Sequence, residues 1–164
     1  MEYVILVDEN DAEVGRAEKM DAHRRGLLHR AFSVILLRDD RILLHRRALG
    51  KYHSGGLWSN ACCGHPRPGE TVEAAARRRL FEEMGIDCAL EWRARTHYSC
   101  ALDGGMSENE IVHLLFGDYD GPVVPDPEEV MDWAWRDLEA FRAEAGASPD
   151  YTYWIRTYVA RGLV

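Results

Sequence analysis

Residues 64–86 constrain the fold of this chain more than any other part of its sequence. A loop containing Pro and Gly leads into residues 71–84, whose apolar side chains recur at helical spacing. Thr71 is suited to cap the N-terminus of this helix and Gly85 to cap its C-terminus. The segment therefore predicts a loop followed by a well-delimited helix. The apolar positions that define it are Val72, Ala75, Ala76, Leu80 and Met84.

The rest of the chain alternates between strand and helix patterns. Residues 30–38 and 41–47 flank the turn Asp39-Asp40 and predict a core hairpin. No internal repeat or linker separates the motifs, so we expect residues 1–164 to form one domain. The pattern predicts an α+β fold in which helices sandwich a mixed sheet. Further strands are predicted at 3–7, 57–63, 88–101, 108–118 and 130–135, and further helices at 138–145 and 150–161.

The charge and cysteine content exclude several classes of protein. A formal net charge of −8 and a pI of about 5.3 argue against a broad basic surface for nucleic acid or anionic lipid. No apolar stretch approaches the length of a membrane span, so we expect a cytoplasmic protein without a membrane partner. The four cysteines form no Cys-x-x-Cys array, which argues against a disulfide framework or an all-Cys zinc site.

A set of His and Glu residues suggests a divalent metal site. On a strand, Glu108 and Glu110 would point to the same face. Two inward carboxylates repel each other unless a cation lies between them or one holds a proton, whereas on a solvated face they would carry no function. With His23, His29 and His65 they supply five ligands, which suit manganese or magnesium better than tetrahedral zinc. The remaining histidines, assigned to surface or structural positions, are His45, His53, His97 and His113.

A thiol lies close to one of these candidate ligands. Cys63 comes two residues before His65, beside the turn at Gly64. This position suits a reactive thiol, but a buried and inert Cys is the more common case, and spacing alone leaves both open. The neighbouring Cys62 makes the choice of thiol ambiguous, and only the register with Gly64 and His65 favours Cys63.

Residues 64–86 resemble the Nudix box, a loop-helix-loop motif that holds a divalent cation against a diphosphate. Gly64 and Glu70 are followed, after seven residues, by RRLFEEMGI at 78–86. Arg79 stands where the hydrolase form of the motif has a metal-binding Glu, which argues against pyrophosphate hydrolysis. Glu83 shares a helical face with Arg79 and is expected to be functional. Glu70 either joins the site or only favours the start of the helix.

Over residues 19–137 the chain resembles the type 1 isopentenyl diphosphate isomerases of the Nudix superfamily. That family also has Arg at the position of Arg79, so the departure from the hydrolase motif supports the resemblance. It implies interconversion of isopentenyl and dimethylallyl diphosphate through a tertiary carbocation. The matching segments are Glu18-Lys19, His23, His29, residues 46–49 with Lys51, residues 56–60, residues 63–66, Gly69-Glu70, Arg78-Arg79 with Glu83, Tyr98 and residues 108–110.

The resemblance also implies roles for individual residues. Cys63 and Glu110 are expected to face each other across the substrate, with Tyr98 assisting Glu110. The ring of Trp154 is a candidate for stabilising the cation, with a core or interface position as the alternative. Magnesium on the diphosphate is expected to be held partly by Glu83. The implied diphosphate-binding residues are Lys19, Arg47, Lys51 and Arg79, and the ligands of a second metal, manganese or zinc, are His23, His29, His65, Glu108 and Glu110.

Two other functions stay open at this point. One is a Nudix diphosphohydrolase that uses water as nucleophile, and the other is a non-catalytic domain that only binds a diphosphate. Arg79 and Cys63 favour an isomerase over a hydrolase, and Glu110 paired with Tyr98 favours an enzyme over a sensor. The expected partner is a small diphosphate, without nucleic acid, and the expected state is a monomer or weak homodimer.

Overall fold

The chain folds around one nine-stranded mixed sheet. The structure is a computed structural model that describes residues 1–164. The strands are β1 (Tyr3–Val7), β2 (Glu13–Glu18), β3 (His29–Arg38), β4 (Arg41–Arg47), β5 (Trp58–Ser59), β6 (Cys62–Gly64), β7 (Glu91–Ala101), β8 (Ser107–Asp118) and β9 (Val130–Asp137). The helices are α1 (Lys19–Arg25), α2 (Val72–Met84), α3 (Leu138–Ala145) and α4 (Tyr153–Ala160), with a 3-10 turn at Asp103–Gly105.

Strand β3 is the centre of the sheet because both of its edges are paired. One edge runs parallel to β8, from His29 opposite Glu110 to Leu37 opposite Asp118. The other edge pairs in turn with β1, β6 and β4. The sheet continues from β8 to β7 and from β4 to β9. The start of β3, the start of β8 and the short strand β6 therefore converge.

Helices cover both faces of the sheet, which confirms the predicted α+β sandwich. Helix α2 packs Ala76 and Leu80 against one face. Helices α3 and α4 pack Phe141 and Tyr158 against the other. Removing these side chains from water stabilises the layers, at roughly 25 cal/mol for each Å² of apolar surface buried. No helix is both long enough and apolar enough to cross a bilayer.

Helix α2 has the ends that its sequence predicts. The Thr71 hydroxyl accepts a hydrogen bond from the amide of Ala74 at 3.2 Å. Gly85 has a φ of 66° and donates its amide to the carbonyl of Phe81. A Cβ at Gly85 would also lie 2.8 Å from the carbonyl oxygen of Val124, so glycine is required both for the turn and for the space.

The single strand predicted at residues 57–63 is divided into β5 and β6. The cause is Asn60, whose side-chain amide donates to the carbonyls of Val34 at 3.0 Å and Cys62 at 2.9 Å. These bonds replace part of the ladder between neighbouring strands. The predicted hairpin of β3 and β4 pairs only next to its turn, because each strand then continues along a different partner.

One helix and one helix boundary also differ from the predictions. Helix α1 was not predicted, because its N-cap is Glu18, a residue outside the usual capping set. The Glu18 carboxylate accepts from the amides of Met20 and Asp21, and Gly26 at a φ of 62° ends the helix. The last helix begins at Tyr153 rather than at residue 150.

Candidate active site

Two carboxylates lie side by side because strand β8 alternates its side chains. Glu108 and Glu110 are both buried and point to the face covered by α4. The parallel register places His29 opposite Glu110 on one side, and the antiparallel register of β7 places Tyr98 opposite it on the other. Glu110 therefore lies between His29 on β3 and Tyr98 on β7.

Five side chains meet at this point and are termed the His/Glu cluster. Their ligand atoms all lie within 4.8 Å of one another. Nε2 of His65 lies 2.9 Å and Nε2 of His29 lies 3.2 Å from Oε1 of Glu110. Nε2 of His23 lies 3.4 Å from Oε2 of Glu108. The fold thus assembles the five residues that the sequence predicted to meet: His23, His29, His65, Glu108 and Glu110.

The hydrogen bonds of two histidines leave their inner nitrogens free for a metal. Nδ1 of His23 donates to the carbonyl of Lys19, and Nδ1 of His29 donates to that of Leu27, both at 2.7 Å. Nε2 of each ring is buried and makes no hydrogen bond, and the same is true of Oε2 of Glu108. Buried polar atoms without partners are costly. This nitrogen and oxygen donor set fits a divalent metal ion, whose identity stays a prediction.

Burial and neighbouring groups shift the pKa values of the two carboxylates in opposite directions. Burial, and then the charge of Glu110, raises the pKa of Glu108 to about 8. Burial also acts on Glu110, but the nearby rings of His29 and His65 outweigh it and lower the pKa of Glu110 well below its usual value. Burial lowers the pKa of His65 to about 4, so its ring is neutral at neutral pH. Neutral imidazole and ionised carboxylate are the forms that bind metals.

Tyr98 is hydrogen-bonded to the second carboxylate oxygen of Glu110. Its hydroxyl donates to Oε2 of Glu110 at 2.7 Å. Burial, and then the charge of Glu110, raises the pKa of Tyr98 well above its usual value, so the phenol keeps its proton. The two residues predicted to act together are therefore hydrogen-bonded, and both line the same cavity.

The adjacent cysteines point to opposite faces of β6. Cys62 is buried against α2, whereas Cys63 lines the cavity. Sγ of Cys63 lies 3.3 Å from Oγ of Ser33 and 3.3 Å from Oδ1 of Asn60. Because Asn60 uses its NH₂ group on two backbone carbonyls, its oxygen is left to accept from the thiol. Burial raises the pKa of Cys63 to about 11, which keeps the group a thiol at neutral pH.

Four basic side chains line the same cavity and are termed the basic rim. Nζ of Lys19 lies 3.1 Å from a carboxylate oxygen of Glu2. Arg79 pairs with Glu82 at 2.7 Å and also donates to Glu83. The predicted diphosphate residues thus lie together, each close to a protein acceptor. The rim consists of Lys19, Arg47, Lys51 and Arg79.

Glu129, just before β9, is a carboxylate at the rim that sequence reasoning missed. It pairs with Lys51 and lies 3.5 Å from Nη2 of Arg79. Burial opposes its ionisation, but the hydrogen bonds and charges of Lys51 and Arg79 together outweigh burial and lower the pKa of Glu129. Burial raises the pKa of the nearby Glu83. No motif or periodicity singles out Glu129 in the sequence.

Trp154 lies between the core and the cavity. It is 3% exposed, packs in the cluster around α4 and lines the cavity. The guanidinium carbon of Arg47 lies 5.2 Å from its ring centre. Trp154 therefore has the core position weighed for it and also borders the cavity, while its role beside a substrate stays a prediction.

His53, which the sequence placed among the structural histidines, instead lines the cavity. Its Nε2 lies 2.9 Å from Oε1 of Glu108. Burial, and then the charge of Arg47, lowers the pKa of His53 to about 3. No spacing in the sequence distinguishes it from the other three histidines. Those three bond outside the cavity: His45 to the carbonyl of Asn60, His97 to Asn109 and His113 to Asp11.

Glu70, whose role the sequence left open, connects the loop before α2 to the helix itself. Its carboxylate accepts two hydrogen bonds from Arg78, at 2.8 and 2.9 Å, and one from the amide of Arg67 at 2.9 Å. The hydrogen bond from Arg78 is the main cause of the lowered pKa of Glu70. Glu70 does not line the cavity, so its contacts favour the structural alternative.

The fold and the site together define a NUDIX-type protein. The family model described as the NUDIX domain matches residues 27–158. A solved structure from Deinococcus radiodurans has a TM-score of 0.78 at 20% identity and covers 98% of both chains. A MutT protein from Methanosarcina mazei has a TM-score of 0.67 at 18% identity over 82% of this chain and 91% of its own. At these identities the two structures support the fold alone.

Curated relatives narrow the assignment within that class. Isopentenyl-diphosphate Delta-isomerase 1 of Aromatoleum aromaticum is 51% identical over 96% of this chain and 90% of its own length. The isopentenyl-diphosphate Delta-isomerase of Burkholderia multivorans is 46% identical over 98% of this chain and 92% of its own. The chain therefore belongs to the isopentenyl-diphosphate Delta-isomerases of the NUDIX family, and the family predicted from the sequence is confirmed.

Proposed function

We propose that this enzyme interconverts isopentenyl diphosphate and dimethylallyl diphosphate. One observation carries the proposal at the level of residues. The Cys63 thiol and the Glu110 carboxylate, itself bonded to Tyr98, line one cavity that also contains the basic rim. This arrangement offers two groups that exchange protons with a carbon skeleton and a set of cations for a diphosphate.

The basic rim binds the diphosphate of the substrate. Arg47 and Arg79 can each present two parallel N–H groups to phosphate oxygens, whereas Lys19 and Lys51 act as point charges. Glu83 helps to hold a magnesium ion on the phosphates, since it is buried at the rim next to Arg79. In a chain with a net charge of −8, a local group of cations is needed to attract an anionic substrate.

The His/Glu cluster holds a second divalent ion, manganese or zinc, with magnesium as another option. Its ligands are the three His Nε2 atoms and the carboxylates of Glu108 and Glu110, which already converge. When bound, the ion neutralises the two carboxylates and polarises Glu110. The unpaired buried nitrogens of His23 and His29 support this assignment.

Cys63 and Glu110 divide the two proton transfers between them. A proton adds to the terminal methylene carbon, a tertiary cation forms, and a proton leaves the methylene next to the diphosphate-bearing carbon. Protonating an unactivated alkene requires a strong acid held close to it, and the Glu110 carboxyl, hydrogen-bonded to Tyr98 within the His/Glu cluster, is positioned for that step. Cys63 lines the same cavity and serves the other proton transfer, and the roles exchange in the reverse reaction. Tyr98 orients Glu110 and supplies a further hydrogen bond.

Trp154 stabilises the cationic intermediate. An aromatic face attracts positive charge without attacking it, and the interaction contributes about 2 kcal/mol where water is excluded. Trp154 is buried and lines the cavity, which supports this role. All of these residues come from one chain, so a single domain acting as a monomer or weak homodimer has a complete site.

Turnover in deuterated water tests the proposal. Purified protein with isopentenyl diphosphate and magnesium should yield dimethylallyl diphosphate that carries deuterium. Mass spectrometry of the product measures the uptake, and a phosphate assay runs in parallel. Release of phosphate or pyrophosphate from a nucleotide substrate without isomerisation would instead indicate a diphosphohydrolase. Stoichiometric binding without any turnover would indicate a non-catalytic domain.

A further inference from the structure

The two carboxylates of the His/Glu cluster are held in the same way by different donors. Oε2 of Glu110 accepts from Tyr98 at 2.7 Å, which leaves its Oε1 facing the histidines. Oε1 of Glu108 lies 2.9 Å from Nε2 of His53, which leaves its Oε2 facing His23. Oε2 of Glu108 is buried and has no hydrogen-bond partner. Each carboxylate therefore has one oxygen occupied from outside the cluster and one directed into it.

We infer that His53 is a positioning residue, which fixes the orientation of Glu108 so that only Oε2 is presented to the bound metal. The inference rests on the proposed function, in which Glu108 is a metal ligand. It adds a residue from the loop between β4 and β5 to a site whose other members come from α1, β3, β8 and the position just after β6. His53 plays for Glu108 the part that Tyr98 plays for Glu110.

The hydrogen bonds of the imidazole assign its tautomer. Oγ of Ser54 lies 3.0 Å from Nδ1 of His53. An ionised Glu108, the form that binds a metal, can only accept a hydrogen bond from Nε2, so the ring proton is on Nε2 and the Ser54 hydroxyl donates to Nδ1. Ser54 has a φ of 55°, a conformation that is unfavourable for a residue other than glycine. Contacts of the surrounding loop therefore hold the turn that directs His53 inward.

The ring of His53 is confined on several sides. It is 4% exposed and stacks on His23 with 6.1 Å between ring centres. The ring of Trp154 meets it edge-on at 5.7 Å. Nη2 of Arg47 donates to the backbone carbonyl of His53 at 3.0 Å. Confinement of this kind leaves the ring little freedom to turn away from Glu108, as a positioning role requires.

Replacing His53 by two different residues tests the inference. His53→Leu removes the donor, while His53→Gln places an amide N–H near the position of Nε2. The matched control is His113→Leu, because His113 is also a buried and hydrogen-bonded His but bonds to Asp11 outside the cavity. Mn²⁺ affinity is measured from the free-ion signal in electron paramagnetic resonance. Thermal unfolding in EDTA and binding of inorganic pyrophosphate with magnesium are measured on the same proteins.

We expect His53→Leu to weaken Mn²⁺ binding by about 10- to 100-fold, the usual effect of losing a residue that orients a ligand. His53→Gln should recover most of the affinity, and His113→Leu should leave it unchanged. Pyrophosphate binding should change little in His53→Leu, since Arg47 contacts the backbone of His53 and not its ring.

Three results would overturn the inference. The first is wild-type Mn²⁺ affinity in His53→Leu, and the second is an equal loss in both His53 variants. The third is a parallel loss of pyrophosphate binding and of the unfolding temperature in EDTA, which would mean that the loop has collapsed. Failure of the wild type itself to bind Mn²⁺, or full binding by His65→Ala, would instead reject the metal site on which the inference rests.

Discussion

The His/Glu cluster and the basic rim border one cavity, but their polar atoms are prepared for a ligand in opposite ways. In the cluster, the inward nitrogens of His23 and His29 and one oxygen of Glu108 are buried without hydrogen-bond partners. In the rim, every cation already has a protein acceptor, and only Nε of Arg47 is buried without a partner. The pairs are Lys19 with Glu2, Lys51 with Glu129, Arg79 with Glu83, and Arg47 with the backbone carbonyl of His53.

This difference indicates how each region responds to its ligand. The fold has already desolvated the atoms of the cluster, so a metal that binds them meets donors in place and relieves a local cost. A diphosphate at the rim must exchange one set of ion pairs for another, and the net gain from each exchange is small. Changes in the cluster should therefore have large effects, and changes in the rim small ones.

The largest effect is expected for Glu110→Gln, which preserves shape but removes a titratable group and weakens a metal ligand. Isomerisation and deuterium uptake should fall together by about 10⁴-fold or more. This is the upper end of the range of about 10²- to 10⁴-fold that is typical of a proton-transfer group, because the variant also weakens a metal ligand. Folding and pyrophosphate binding should persist, because the rim is unchanged. Product mass spectrometry measures both losses. Deuterium exchange at the wild-type rate would reject this mechanism.

Cys63→Ala should come next, with a loss of about 10²- to 10⁴-fold in isomerisation. Cys62→Ala is the matched control, because Cys62 lies on the opposite face of β6 against α2. It should alter the unfolding temperature more than the rate. Equal losses in both variants, with folding retained, would show that the reactive thiol is assigned wrongly. Combined with Glu110→Gln, Cys63→Ala should add little, since both groups serve one cycle.

A smaller effect is expected for Glu83→Gln, at the rim. It should weaken binding of pyrophosphate with magnesium by about tenfold, in line with the loss of one charge-assisted contact. The magnesium dependence of activity should shift to higher concentration while the unfolding temperature changes little. Glu82→Gln is the control, since Glu82 is exposed and also pairs with Arg79. The same magnesium dependence in wild type and Glu83→Gln would contradict the assignment.

The smallest effect is expected for Glu129→Gln, which should raise the affinity for pyrophosphate rather than lower it. Because Glu129 competes with the diphosphate for Lys51 and Arg79, its neutralisation should tighten pyrophosphate binding by about two- to fivefold, the equivalent of one weak ion pair. Glu128→Gln, at the exposed neighbouring position, should change nothing. Isothermal titration calorimetry measures both. Weaker binding in Glu129→Gln would mean that this carboxylate assists the phosphate-bound magnesium instead.

Much of the fold and of the His/Glu cluster could be predicted because the relevant signals are local or periodic. The period of two in β8 directs Glu108 and Glu110 to one face, and the caps of α2 lie within a few residues of its ends. The register of Cys63 with His65 similarly separates it from Cys62. The outer contacts could not be predicted in this way, since Glu129 meets Lys51 across 78 positions of the chain.

The sequence by itself determined the residue types of the site, the alternation that brings two carboxylates together, and the family. The alternation follows from short-range geometry, in which neighbouring residues restrict one another, whereas the family follows from the resemblance of the motifs. Only the tertiary structure decided that His53 reaches Glu108, that Asn60 turns its oxygen to Cys63, and that the basic rim is paired in advance. Such contacts depend on how the loops around β3 and β4 pack, and packing is a property of the whole chain rather than of any segment.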